Sequence, residues 1–187
     1  MLDSHQIITT IAKGLLSIAP RDEGIRREVE WEMPLINPET GRSSRTFALA
    51  GKIDGILGAD LVEEKTRGQS PQKSDIDRLP LDAQILMYVN ACGFHDIDIR
   101  RVRYHYYIRP GIRRRKDKNH PTGMETLSTF LDRLEACFVD EPERYFREEI
   151  LHFPKEALEK FREDIWAVGQ GILWFRNNNC WYRNTTH

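Results

Sequence analysis

Cysteine is scarce in this chain, with three in 187 residues. Three thiols cannot make an all-paired disulfide scaffold, and they cannot by themselves build a four-thiolate metal site. Long apolar runs are missing as well. No stretch approaches the about 18–20 apolar residues that span a bilayer, which excludes a membrane-spanning protein, and no membrane partner is expected. The opening residues lack a basic segment followed by an apolar run, so no secretory signal is expected and a cytoplasmic location is the default. Repeats and low-complexity tracts are absent. So is any excess of one charge: 28 Lys+Arg face 29 Asp+Glu, a total that argues against nucleic acid as a partner. What is present is an ordinary globular composition, 40% apolar and 30% charged, in a length that suits one domain with a proper core.

The total hides an uneven distribution. Nine basic residues lie between Arg100 and Lys118 (Arg100, Arg101, Arg103, Arg109, Arg113, Arg114, Arg115, Lys116 and Lys118), and only Asp117 opposes them. This segment is +8, and the remaining 19 basic against 28 acidic residues leave the rest at -9. A solvated strand and loop is one reading. Contact with a polyanion through phosphate neutralisation is the other.

Periodicity gives the outline. Ile7, Ile8, Ile11, Leu15 and Ile18 predict an amphipathic helix over 5–18. Val29, Trp31, Met33 and Leu35 alternate with Glu28, Glu30 and Glu32, as a half-buried strand does. After a turn at Asn37–Gly41, a second alternation runs through Phe47, Leu49, Gly51 and Ile53. Gly58-Ala59-Asp60 turns the chain into Leu61-Val62-Glu63-Glu64-Lys65. Residues 66–80 are polar and aperiodic, which predicts a loop. A helix is expected from Pro80 and Leu81 to Cys92 on the stripe Leu81, Ile85, Val89 and Cys92, with Gln84 and Tyr88 sharing a face. Residues 99–108 alternate again, with Val102, Tyr104, Tyr106 and Ile108 on one side. Thr122-x-x-Glu125 predicts a capping box for a helix carrying Leu127, Phe130, Leu131, Leu134 and Phe138. Pro154 opens a last helix through Leu158, Phe161, Ile165, Val168 and Ile172. The expectation is a single α/β or α+β domain over 1–187, with a small mixed β-sheet flanked by helices. Its core spans about 28–110 and a helical part spans about 122–176.

The chemistry concentrates in Gly51-Lys52-Ile53-Asp54, Glu63-Glu64-Lys65 and Gln84-Ile85-Leu86-Met87-Tyr88. Asp54 ends one predicted strand, and Glu63 and Lys65 share a face of the next. If those strands pair, two carboxylates and an ammonium converge. That set suits Mg²⁺ or Mn²⁺ beside a phosphate, with the lysine orienting water or offsetting charge in the transition state. A surface ion-pair network is the plain alternative for each residue taken singly.

These three motifs, in this order, resemble the PD-(D/E)XK nuclease superfamily, in the RecB-like and Cas4-like exonuclease branch common in phages. The likeness covers about Val29 to Arg109. It implies a restriction-endonuclease-like core and metal-dependent hydrolysis of DNA phosphodiesters, in recombination, repair or phage DNA processing within a bacterial or phage-infected cell. Asp54 and Glu63 would hold Mg²⁺ or Mn²⁺, helped by the backbone carbonyl of Glu64. Lys65 would position or activate water, and Gln84 and Tyr88 would support the site. Family members often add an upstream His or Glu. His5 and Glu30 are the candidates here, although His5 stands at no diagnostic spacing and Glu30, like Glu32, also reads as solvent-facing. Many relatives carry an iron–sulfur cluster. The segment Trp174 to Tyr182 around Cys180 resembles the approach to its cysteines, but Cys92 and Cys137 read as buried thiols, so no complete cluster is expected in this chain.

The basic segment then has a task. Arg101, Arg103, Arg109, Arg113, Arg114, Arg115, Lys116 and Lys118 are candidates for DNA phosphates, and Tyr107 and Trp181 for stacking on bases. Exonuclease action on DNA ends is what the resemblance implies. A restriction-like or nicking endonuclease, or an inactive DNA-binding module of a processing complex, remain alternatives. Self-association or a recombination partner are further possibilities for assembly.

Overall fold

The computed structural model describes residues 2–181. Helix α1 (Leu2–Ile18) precedes three strands, β1 (Arg26–Ile36), β2 (Ser43–Leu57) and β3 (Asp60–Arg67). Two helices follow, α2 (Lys73–Arg78) and α3 (Ala83–Phe94), and lead into β4 (Arg101–Ile108). The chain then forms α4 (Leu127–Asp140), α5 (Pro142–Tyr145), β5 (Phe146–Leu151) and α6 (Lys155–Asn177). The five strands make one mixed sheet in the order β1-β2-β3-β4-β5. Only the β3–β4 pair is parallel. A parallel neighbour needs a crossover, and here α2 and α3 supply it. Among the described residues, no helix is long and apolar enough to cross a membrane.

Local chemistry accounts for the elements. On β1, Trp31, Met33 and Leu35 are buried while Glu30 and Glu32 stay exposed. The β1–β2 connection closes on the Asn37 side chain, whose Oδ1 accepts from the amides of Glu39 at 2.8 Å and Thr40 at 3.2 Å. Gly41 follows at φ +67°, in the left-handed region that favours glycine. Helix α3 lays Ile85, Val89 and Cys92 on the sheet, beside Leu61, Val102, Tyr104 and Tyr106. Burying these side chains is the main favourable term for the fold.

Five expectations need correction. Residues 66–80 are not simply a loop. They hold α2 and a 3-10 turn at Leu79–Leu81, stabilised by a Gln72–Asp75 capping box and an Arg67–Asp75 ion pair at 3.2 Å. Six helical residues are too few to show a period. Helix α3 starts at Ala83 rather than at Pro80, because Asp82 caps it by accepting from the Gln84 amide at 2.8 Å. Leu81 is consequently outside the packed stripe and exposed. Thr126 caps α4, not Thr122, with its hydroxyl accepting from Thr129 N at 3.1 Å. Val168 and Ile172, placed on the packed stripe of the last helix, are exposed, and in α6 only Gly169 is buried.

The segment 122–176, read as helical, also contributes β5. Its sequence, Phe-Arg-Glu-Glu-Ile-Leu, shows no apolar alternation because its charges are paired within the sheet. Glu148 meets Arg103 at 2.6 Å and His105 at 3.1 Å, while Arg147 meets Glu149 at 2.5 Å.

Candidate functional site

The site stands where the sheet forks. β2 and β3 pair only between Gly55–Leu57 and Asp60–Val62. Beyond the Gly55–Val62 rung, β2 pairs with β1 alone and β3 with β4 alone. Asp54 and Glu63 are the first residues past that rung. The ladder no longer satisfies the Glu64 amide, so Asp54 Oδ2 accepts from it at 2.9 Å.

Backbone geometry aims Asp54. Opposite it on β1, Glu28 has φ +53°, and no rung joins the two between Arg27–Gly55 and Val29–Ile53. Arg26, Val29, Ile53 and Ile56 all line one cavity of about 220 Å³ with Ala91 and Cys92 of α3. The inward-facing set therefore steps by three residues on both strands instead of two. Such a break in alternation redirects a side chain, as bulges do beside functional sites. Gly55 belongs to the same arrangement, since a Cβ there would lie 2.6 Å from Ile25.

Glu63 is buried, at 1% exposure, and pairs with Lys65 two residues along the same face. Its Oε2 is buried and has no hydrogen-bond partner among the described residues. Burial pushes the Glu63 carboxyl above its usual range; Lys65 opposes that shift, while the charges of Asp54 and Asp82 add to it. The Lys65 ammonium also donates to Gln84 Oε1 at 2.8 Å, and Gln84 Nε2 donates to the Tyr88 hydroxyl at 2.9 Å. Tyr88 meets the Trp31 ring edge-on at 6.3 Å between centroids. Gly51 leaves space for that indole, because a Cβ there would lie 2.8 Å from Trp31 Cζ2. Gly51, Trp31, Tyr88, Gln84, Lys65 and Glu63 thus form one contiguous chain of contacts, and the structure brings all five core candidates (Asp54, Glu63, Lys65, Gln84 and Tyr88) into one region.

Sequence reasoning missed three supporting groups. Asp82 caps α3 with Oδ1 and accepts from the Tyr104 hydroxyl with Oδ2 at 3.1 Å, which fixes the helix turn that carries Gln84. An Asp two residues before Gln84 is a legible cap signal. Trp31 and Tyr104 read only as core residues, and no local pattern distinguishes them.

The other candidates scatter. The Glu64 side chain points to the opposite face, where it meets Arg27 at 2.9 Å. His5 is exposed on α1, a helix that packs against α4 and α5, and Glu30 is exposed on β1. Among the described residues, no group of three or more His, Cys, Asp or Glu is arranged to hold a metal ion. Two hard carboxylates, one with a buried oxygen that no protein group satisfies, still fit the chemistry of Mg²⁺ or Mn²⁺. Cys92 is buried, Cys137 partly buried and Cys180 exposed.

The basic segment divides in two. Arg100, Arg101 and Arg103 are paired, to Asp98 at 3.1 Å, to Asp60 at 2.6 Å, and to both Asp22 and Glu148. Arg114 Nε donates to the Glu125 carbonyl at 3.1 Å. Arg109, Arg113, Arg115, Lys116 and Lys118 are exposed and form no ion pair among the described residues. Glu125, expected in a capping box, instead ties this loop down: its carboxylate accepts from Arg115 N at 2.7 Å and pairs with Arg133. Tyr107 packs against Phe146 at 5.5 Å on the face away from Glu63, so it is no stacking platform for a strand at the fork. Trp181 is exposed, and Tyr182 lies outside the described residues.

Comparison with protein-family models, curated proteins and solved structures finds no match to this chain.

Proposed function

We propose that this protein is a metal-dependent deoxyribonuclease of the PD-(D/E)XK kind, acting on DNA ends. The observation that carries the reading is the buried, singly unsatisfied Glu63 carboxylate at the sheet fork, beside Asp54 and the Lys65–Gln84–Tyr88 chain. The order of elements supports it: Gly-x-x-Asp lies on β2, Glu-x-Lys on β3 and Gln-x-x-x-Tyr on the crossover helix α3, the placement that the resemblance implies for a restriction-endonuclease-like core.

Asp54 and Glu63 would hold Mg²⁺ or Mn²⁺, with the Glu64 carbonyl nearby. A divalent cation there supplies Lewis-acid charge toward the phosphoryl oxygens. Lys65, held at two points by Glu63 and Gln84, presents an ammonium of fixed position, suited to orienting water and to offsetting the charge that develops on phosphorus-bound oxygens. Gln84 and Tyr88 keep that ammonium in place.

The test gives purified protein 5′- and 3′-labelled single- and double-stranded DNA with Mg²⁺, Mn²⁺ or EDTA, beside Lys65→Ala. Metal-dependent release of mononucleotides that disappears in the variant is the expected result. Binding without cleavage in every metal overturns the reading in favour of a DNA-binding module, and plasmid cleavage at internal positions favours an endonuclease.

A further inference from the structure

Beyond the fork, the C-terminal ends of the parallel strands β3 and β4 open into a cavity of about 760 Å³. Four arginines line it: Arg109, Arg115, Arg133 and Arg144. The last two are already paired, to Glu125 and Glu141. Arg109 and Arg115 form no ion pair among the described residues. The Arg109 guanidinium lies beside Gly68 of the β3–α2 loop, 3.9 Å from where a Cβ would stand. Ile108, Ile112 and Tyr145 add an apolar surface, while Asp140 and Glu141 are the acidic members of the lining. Unpaired guanidinium groups beside an apolar wall suit a ligand that is anionic at one end and flat or apolar at the other.

Position makes the cavity informative. Tyr106 stands opposite Lys65 in the β3–β4 ladder, and Arg109 is three residues further on, about 10 Å at the strand rise. A strand lying along this end of the sheet would span both places within a few nucleotides.

We infer that this cavity is a nucleotide-binding subsite, in which Arg109 and Arg115 hold a phosphate and the Ile108–Ile112–Tyr145 surface takes the sugar or base. Its assignment to a DNA strand rests on the nuclease reading above. The binding chemistry itself does not.

Cys137 provides a local probe, because it lines the same cavity and its thiol donates to the Arg133 carbonyl at 3.4 Å. Alkylation of Cys137 and of Cys180 is followed by peptide mass spectrometry in EDTA, so that no cleavage intervenes. The probes are thymidine monophosphate and a short oligonucleotide with or without a 5′-phosphate. Protection of Cys137 but not Cys180 is expected, together with about a tenfold loss of affinity in Arg109→Gln/Arg115→Gln, the size of a lost charge-assisted phosphate contact. Arg42→Gln/Arg45→Gln, on the exposed β1–β2 hairpin, is the charge-matched control and should bind normally. Protection by the free monophosphate identifies a nucleotide site, and protection by the oligonucleotide alone identifies a strand subsite; either supports the inference. Oligonucleotide binding that leaves Cys137 unprotected, with affinity unchanged in the double variant, overturns it. The nuclease reading stands or falls separately, on cleavage in Mg²⁺ or Mn²⁺ and its loss in Lys65→Ala.

Discussion

Gly51 is the position at which packing and the candidate site are most directly coupled, and Gly51→Ala tests that coupling. The added methyl would lie 2.8 Å from Cζ2, 3.0 Å from Cε2 and 3.1 Å from Nε1 of the Trp31 indole, which is 8% exposed. A buried ring cannot yield by swinging into solvent, so an overpacking cost of about 1–3 kcal/mol is expected. Alanine recovers about 0.5–1 kcal/mol over glycine in a strand. The net loss is then between zero and about 2.5 kcal/mol, and the melting temperature falls by about 2–4 °C for each kcal/mol in a chain of this size. Displacement of Trp31 also disturbs Tyr88, whose hydroxyl receives the Gln84 amide, so under the proposed function cleavage of DNA should fall more than its binding. Thermal denaturation and near-ultraviolet circular dichroism read the first effect. The decisive measurement is a cycle with Trp31→Phe, which removes the ring atoms that clash. The double variant should be less destabilised than the sum of the singles, by about 1 kcal/mol. Strict additivity in the cycle would refute the claim that Gly51 exists to seat the indole.

Three further outcomes follow from the same geometry. Arg103→Ala should cost about 1–3 kcal/mol, because it leaves Asp22 without its partner and Glu148 with His105 alone; urea denaturation measures it, and a neutral result would show that the pairs are dispensable. Glu28→Gly accepts the φ +53° backbone and should leave Mn²⁺ affinity near that of the parent. Glu28→Val, with a β-branched side chain in the left-handed region, should lose about 1–2 kcal/mol of stability and weaken Mn²⁺ binding, as judged by calorimetry. Burial alone would raise the Glu148 carboxyl, but hydrogen bonds from Arg103 and His105 hold it below its usual range. A depressed carboxylate stabilises the fold above its unfolded pKa of about 4.3, and that contribution disappears as pH falls through the lower folded value. Glu148→Gln should therefore flatten the acid limb of stability below about pH 4 while lowering stability at neutrality. An unchanged acid limb would remove Glu148 from the linkage.

Much of the sheet was legible because β1, β2 and β4 carry apolar alternation, and the convergence of Asp54, Glu63, Lys65, Gln84 and Tyr88 because their spacing places them on β2, β3 and the crossover helix α3. What escaped was specified by partners remote in sequence. β5 reads as a charged tract, yet its Glu148 is neutralised by Arg103, 45 residues away. The break in alternation at Glu28 and Asp54 is equally invisible: the β1 run reads as a uniform strand, and only the register across to β2 reveals that both strands skip together. Helix α4 starts four residues beyond the Thr122 that its pattern suggests, at the Thr126 cap. Thr122 and Thr126 both fit a cap, and the choice was made by Glu125, which the loop amide of Arg115 and the Arg133 guanidinium draw away from a capping role.

The basic segment shows how such long-range pairing changes a prediction about binding. Counted along the chain, nine cations are available to DNA phosphates. In the structure four of them are occupied: Arg100 by Asp98, Arg101 by Asp60, Arg103 by Asp22 and Glu148, and Arg114 by Asp3 at 3.9 Å and the Glu125 carbonyl. Five remain, namely Arg109, Arg113, Arg115, Lys116 and Lys118. Each phosphate neutralised contributes about 0.7 to the slope of log K against log salt for single strands and about 0.9 for duplex. The five free cations of this segment therefore contribute about -3.5 to -4.5 to the slope, where engagement of the whole segment would contribute about -6 to -8. Fluorescence anisotropy in EDTA across a salt series, with Lys65→Ala to exclude residual cleavage, distinguishes the two. Arg101→Gln should leave the slope unchanged, and Arg113→Gln should reduce it by about one phosphate equivalent. A slope near -7 that Arg101→Gln does reduce would mean that the strand-borne pairs open on DNA, and that the acidic partners act as gates rather than as fixtures of the fold.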